Sequence, residues 1–245
     1  MVYVPAGSFL MGSSDADPLA TSEEKPQHTV TLDAFWIDKT EVTLGMYALC
    51  VDRHVCHEPI HGDSPTRTWY WGNPEFLNYP VTWVNWNMAQ TYCEWAGRRL
   101  PTEAEWEKAA RGTVQQTYPW GQTFDASRAN SCDANCPKKY ANKNFNDNYG
   151  DTAPVDAFPN GVSMFGALNL SGNVSEWVAD WYSAGYYSSS SSTSNPPGPQ
   201  NGEKHILRGG SWLRFPINLR LVTRSSQIPD YTSNDVGFRC VSSIP

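Results

Sequence analysis

The chain has 245 residues, with 18 basic against 25 acidic side chains and a net charge of −7. That balance argues against nucleic acid or an anionic membrane surface as the main partner, because both need a basic footprint. The 11 Trp, 12 Tyr and 9 Phe stand beside 18 Gly and 18 Pro, which predicts a loop-rich fold whose large rings fill gaps between irregular segments.

Residues 2–12 alternate apolar and small side chains and read as a strand, a turn and a second strand. Residues 13–27 are polar and acidic, a loop. His28–Leu32 and Ala34–Asp38 read as strands. Thr40 can cap a helix over 41–51 with Val42, Met46 and Leu49 on one side. Residues 52–79 lack a period and form a loop; Pro80–Val84 reads as a short strand. Asn85 can cap a helix over 86–97 that Gly97 ends. Thr102-Glu103-Ala104-Glu105 is a capping box, opening a helix to Arg111. Turn residues dominate 112–165. Residues 183–201 hold a serine run and Pro-Pro-Gly-Pro, a flexible loop. Short strands are expected at 205–212, 219–224 and 236–241. No repeat or boundary divides the chain, so 1–245 reads as one domain.

Cys50, Cys56, Cys93, Cys132, Cys136 and Cys240 make an even count with two close pairs, 50/56 and 132/136. This fits a disulfide set, with all connectivities open, better than a zinc site, since no matching His pair follows Cys132. Paired cysteines would place the chain outside the cell or on its surface; unpaired ones, in the cytoplasm. No apolar run is long enough to cross a bilayer, and residues 1–5 lack the basic start and apolar core of a signal peptide. His54, His57 and His61 cluster without ligand spacing and read as loop residues.

Several blocks resemble one family. They are Val4-Pro5-Ala6-Gly7-Ser8-Phe9-Leu10-Met11-Gly12; Pro80-Val81 through Trp86; Ala96-Gly97-Arg98-Arg99-Leu100-Pro101-Thr102-Glu103-Ala104-Glu105-Trp106-Glu107; Tyr118-Pro119-Trp120-Gly121; Gly172-Asn173-Val174-Ser175-Glu176-Trp177; Leu207-Arg208-Gly209-Gly210-Ser211-Trp212; and Gly237-Phe238-Arg239-Cys240. Their order and content resemble the formylglycine-generating enzymes, or sulfatase-modifying factors. The resemblance implies an α+β fold of the C-type-lectin-like kind, irregular and loop-rich, with few helices and a small antiparallel sheet. It also implies a disulfide between Cys93 and Cys240. Within the blocks, Glu105 reads as a cap, and Trp106, Trp120 and Trp177 as core.

Enzymes of this family oxidise a substrate cysteine with oxygen and Cu(I) held by two cysteines, because soft thiolates suit that ion. The matching positions here are Arg214 and Leu219, and no cysteine lies between Ser211 and Arg239. No copper is therefore expected, and no catalytic residue is assigned. The resemblance also implies structural Ca2+, held by oxygens of Asn130, Ser131, Asp147 and Tyr149, with a second site at Asn173, Val174 and Glu176; mixed carboxylate, amide and carbonyl oxygens suit that hard ion.

From 213 to 235 there is no Lys, Glu, Met or Trp, and Gln227 alone falls outside the set that NNY codons encode. This resembles the variable proteins of diversity-generating retroelements, which use the same lectin-like scaffold. It implies a diversified face at 212–235 for a protein or other macromolecular ligand. Leu213, Arg214, Phe215, Ile217, Asn218, Leu221, Ser225, Ile228, Tyr231, Ser233 and Asp235 are candidate diversified positions, with Trp212 and Arg220 on the same face. Leu219 and Val222 read as core. A sensor domain of a bacterial signalling protein, and the oxidase itself, are the competing readings.

Overall fold

The computed structural model describes residues 1–189 and 193–243. Strands β1 (Val2–Val4), β2 (Gly7–Met11), β3 (His28–Leu32) and β4 (Phe35–Ile37) come first. Helices α1 (Leu44–Asp52), α2 (Trp86–Trp95) and α3 (Glu103–Arg111) follow, then β5 (Ser175–Trp181), α4 (Tyr186–Ser189), β6 (His205–Arg208), β7 (Ser225–Gln227), β8 (Val236–Phe238) and β9 (Val241–Ser242). The result is α+β, with few helices and long ordered loops between small sheets.

The sheets run β1-β4-β9, β2-β3 and β7-β6-β5-β8, all antiparallel except β5 beside β8. β4 thus pairs with both ends of the chain. The disulfide Cys93–Cys240 adds a link between α2 and the C-terminal segment across 147 positions. Cys50–Cys56 and Cys132–Cys136 close short loops, and no cysteine is left free. Three disulfides point to an oxidising compartment. Among the described residues no helix is long and apolar enough to cross a membrane.

Buried arginine–carboxylate pairs bind these sheets to α3. Arg239 grips Glu176 with two 2.7 Å bonds, and Trp106 Nε1 donates to the same carboxylate. Glu107 bridges Arg111 and Arg208. Thr102 and Glu105 form the capping box, and Glu105 also holds Arg99. Trp106 and Trp177 are fully buried, as expected; Trp120 is half-buried and stacks on Tyr118.

Several local expectations need correction. Thr43, not Thr40, caps α1, because residues 41–43 are held extended: Val42 donates to Phe238 O, and its carbonyl accepts from Val81. The buried side of α1 is Leu44, Tyr47 and Cys50, while Met46 and Leu49 are exposed. Pro80–Val84 forms one isolated bridge, Pro80 to Thr43, rather than a strand. Residues 219–224 are not a strand either. A 3-10 turn over Pro216–Leu219 takes in the first of them, and Thr223 N donates back to Arg220 O in a further turn. Of the 183–201 loop, Tyr187 is buried in α4 and Asn195 bonds Asp33, so these parts are ordered; residues 190–192 lie outside the described residues.

Candidate functional site

The segment after β6 turns on Gly209 and Gly210, both at positive φ. A Cβ on Gly210 would sit 2.7 Å from the Asn218 carbonyl, so only glycine lets the 3-10 turn pack this closely. Ser211 donates to Asp235 at 2.8 Å, and Ser233 donates to the same carboxylate. Trp212 donates from Nε1 to the Asn234 carbonyl and from its backbone to Asn173. The loop 229–233 is in turn bonded to the start of α2: Trp83 N donates to Ser233 O and Trp86 N to Pro229 O. Fixed loops thus surround an open centre.

That centre is a hollow of about 170 Å3 whose lining includes Arg214, Asn218, Ser225, Gln227, Tyr231 and Asp235. A shallower hollow beside it shares Arg214 and Asn218 and adds Leu213, Phe215 and Tyr140. Tyr140 meets Phe215 edge to face at 5.6 Å. Arg214 is exposed, and its guanidinium makes no hydrogen bond or ion pair among the described residues. Thr223 and Arg224 also line the larger hollow, although Arg224 is nine-tenths buried and committed to Glu103.

Of the expected face, Arg214, Asn218, Ser225, Tyr231, Leu213, Phe215 and Asp235 are brought together around these hollows. Ile217 and Ile228 are exposed but line neither, and Ser233 serves as a hydroxyl donor to Asp235. Four expected positions are structural instead. Trp212 is buried against the Cys132–Cys136 disulfide. Arg220 is 3% exposed and held by Glu24 in two bonds. Leu221 lies in the core with Trp106 and Ile206. The Asp235 carboxylate is buried under two hydroxyls, so its role is to hold the loops. Leu219 and Val222 are buried, as expected. Tyr140, Thr223, Arg224 and Gln227 were not foreseen. Gln227 sits in the same window but outside the codon pattern, and nothing local to Tyr140 marks it.

Copper does not fit this face. Every cysteine is in a disulfide, Arg214 offers a cation, and Leu219 packs inward on Tyr118 and Ala129. Soft-metal ligation has no donor here.

Two features of the first calcium set suit a hard cation. Asn130 is buried; its Nδ2 donates to Asp151 O and Asn173 Oδ1, while its Oδ1 has no hydrogen-bond partner. The Asp147 carboxylate accepts from the backbone of Ser131 and Tyr149. Burial, with the Asp133 carboxylate nearby, pushes Asp147 up to about 7. A buried orphan oxygen and two crowded carboxylates are what a cation would relieve. The second set is not assembled. Glu176 is taken on both oxygens by Arg239, and Asn173 is bonded to Glu41, Ala153 and Asn130.

Residues 1–244 match the model of the sulfatase-modifying factor enzyme 1-like domain. The formylglycine-generating enzyme of Thermomonospora curvata is 35% identical, over 99% of this chain and 93% of that one. The mouse inactive C-alpha-formylglycine-generating enzyme 2 is 32% identical, over 99% and 85%. The solved variable protein 1 of Treponema denticola is 22% identical with a TM-score of 0.74, over 99% and 94%, a likeness of fold.

Proposed function

The chain belongs to the sulfatase-modifying factor enzyme 1-like family, and on that premise we propose that it is a non-catalytic binding protein. On this reading the face around Arg214 takes a protein or other macromolecular ligand, and it is the diversified face of a retroelement-encoded variable protein. One observation carries the reading. Where the family's oxidation chemistry needs two thiols, this chain has an exposed, unpaired Arg214 and an inward-packed Leu219. An unpaired arginine with Phe215 and Tyr231 around a recess supplies the side chains that anchor interfaces. The surrounding backbone is fixed by the Ser211–Asp235 bond, Trp212 and the Arg–Glu pairs, so side chains facing outward can change without changing the fold.

On the same reading, a calcium ion would be held by Asn130 Oδ1, Asp147 and the carbonyls of Ser131 and Tyr149. It would supply positive charge to a buried carboxylate pair and tie two loops together.

Sequencing the encoding locus from many independent isolates tests the proposal. Variation is expected at 213–215, 217, 218, 225, 228 and 231, and not at Trp212, Leu219, Arg220 or Leu221. Substitutions spread evenly along the chain would reject diversification. A triple variant, R214A/F215A/Y231A, should keep the parent's melting temperature, and a drop of many degrees would show that these residues hold the fold instead.

A further inference from the structure

A separate hollow of about 230 Å3 opens between the loop after β2, the loop after α3 and Arg220, and it shares no lining residue with the hollow at Arg214. Arg111, the last residue of α3, lines it and is 6% exposed. Its Nη1 makes the side chain's hydrogen bonds among the described residues: to Gly12 O at 2.9 Å, Glu107 at 2.8 Å and Leu10 O at 3.4 Å. Its Nε is buried without a partner. In a guanidinium, Nε–H and the adjacent Nη2–H form the side-on fork that takes two oxygens of one oxyanion. Here that fork is unused, and a buried donor without an acceptor is unfavourable.

The charge balance points the same way. Arg111, Arg208 and Arg224 share two carboxylates. Glu107 lies 2.8 Å from Arg111 and 2.6 Å from Arg208, and Glu103 lies 2.8 Å from Arg224 and 3.4 Å from Arg208. Three buried cations against two buried carboxylates leave one positive charge without an answer. Burial beside Glu103 pushes the neighbouring Asp180 up to about 8, so it is mostly protonated at neutral pH. Arg220 is answered by Glu24. The hollow's one carboxylate, Asp17, is a third exposed and 3.6 Å from Arg220.

The rest of the wall is rich in amides. Gln27 and Gln122 donate to backbone carbonyls, while the side chains of Gln115 and Gln116 make no hydrogen bond among the described residues.

We propose that this hollow binds a small oxyanion-bearing solute, a carboxylate or a phosphate, on the side-on fork of Arg111, with Gln115 and Gln116 meeting the solute's remaining polar atoms.

The test follows the Arg111 Nε–H resonance of the 15N-labelled full chain during titration with inorganic phosphate, with acetate, and with glucose as a neutral control. A saturable shift with phosphate or acetate is expected, and none with glucose. Response to phosphate alone assigns the phosphoryl class, and response to acetate alone the carboxylate class. In Q115A/Q116A, half-saturation should need about tenfold more anion. Both side chains are at least partly exposed, so this variant should melt with the parent. A resonance unmoved by both anions, one moved equally by glucose, or an anion response unchanged in Q115A/Q116A would overturn the proposal.

Discussion

Consider removing the disulfides one at a time, as C93A/C240A and C132A/C136A. The first bridge spans 147 positions and the second only 4. If a bridge acts by restricting the unfolded chain, its contribution grows with the logarithm of the loop it closes. The long bridge then contributes about 5 kcal/mol and the short one about 2 kcal/mol. Cys93 and Cys240 are fully buried in the core with Tyr92 and Phe238, so a packing loss adds to the first figure. The short bridge has a different task. It packs against Trp212, and Cys132 N donates to the Arg214 carbonyl. Its loss should loosen the face while leaving most of the stability. Equilibrium urea unfolding gives the two losses, and hydrogen exchange at the backbone amide of position 132, compared between parent and C132A/C136A, reports the loosening. Equal losses in both variants would refute the loop-length reasoning. An unchanged exchange rate at the position-132 amide would refute the link to Arg214.

Asp180 is pushed up to about 8 by burial and by Glu103, from an ordinary value near 3.8. The folded state therefore binds the extra proton. That contribution is complete below about 3.8 and is lost as pH rises toward 8, at about 1.4 kcal/mol per pKa unit. Asp180→Asn should gain on the parent in urea midpoint between acid and alkaline pH; a constant difference would contradict this. Calcium should raise the melting temperature of the parent and not of D147N, read by thermal unfolding with and without a chelator. Leu219→Ala should cost about 2–5 kcal/mol, because the side chain is fully buried. Ile217→Ala, two residues away and exposed, should change stability by only about 0.5 kcal/mol, and similar losses in the two would erase the boundary between core and face.

Local chemistry was legible in the sequence where a few neighbouring residues decide it. Thr102 with Glu105, Asn85 before α2 and the positive-φ Gly97 after it all act within one turn. The shifted start of α1 was not legible, because Val42 is held by Phe238 at the other end of the chain. The face divided the same way. The absence of sulfur at 214 and 219 could be read directly. That Arg220 is core could not, since Glu24, its partner, lies 196 positions earlier. Glu176 resembled a cation ligand in its motif, but Arg239, 63 positions on, claims both its oxygens. Apolar and charged residues alternate through 219–221 in a way that suits a strand, and only the approach of Gly210 to Asn218 reveals the turn.

The most direct test of a binding role without oxidation is to supply the full chain with Cu(I), oxygen and a cysteine-containing peptide, and to follow the peptide by mass spectrometry. With Arg214 and Leu219 in place of thiols, we expect the peptide to be recovered with its cysteine intact and no aldehyde formed. Aldehyde produced with stoichiometric oxygen uptake would contradict the binding role.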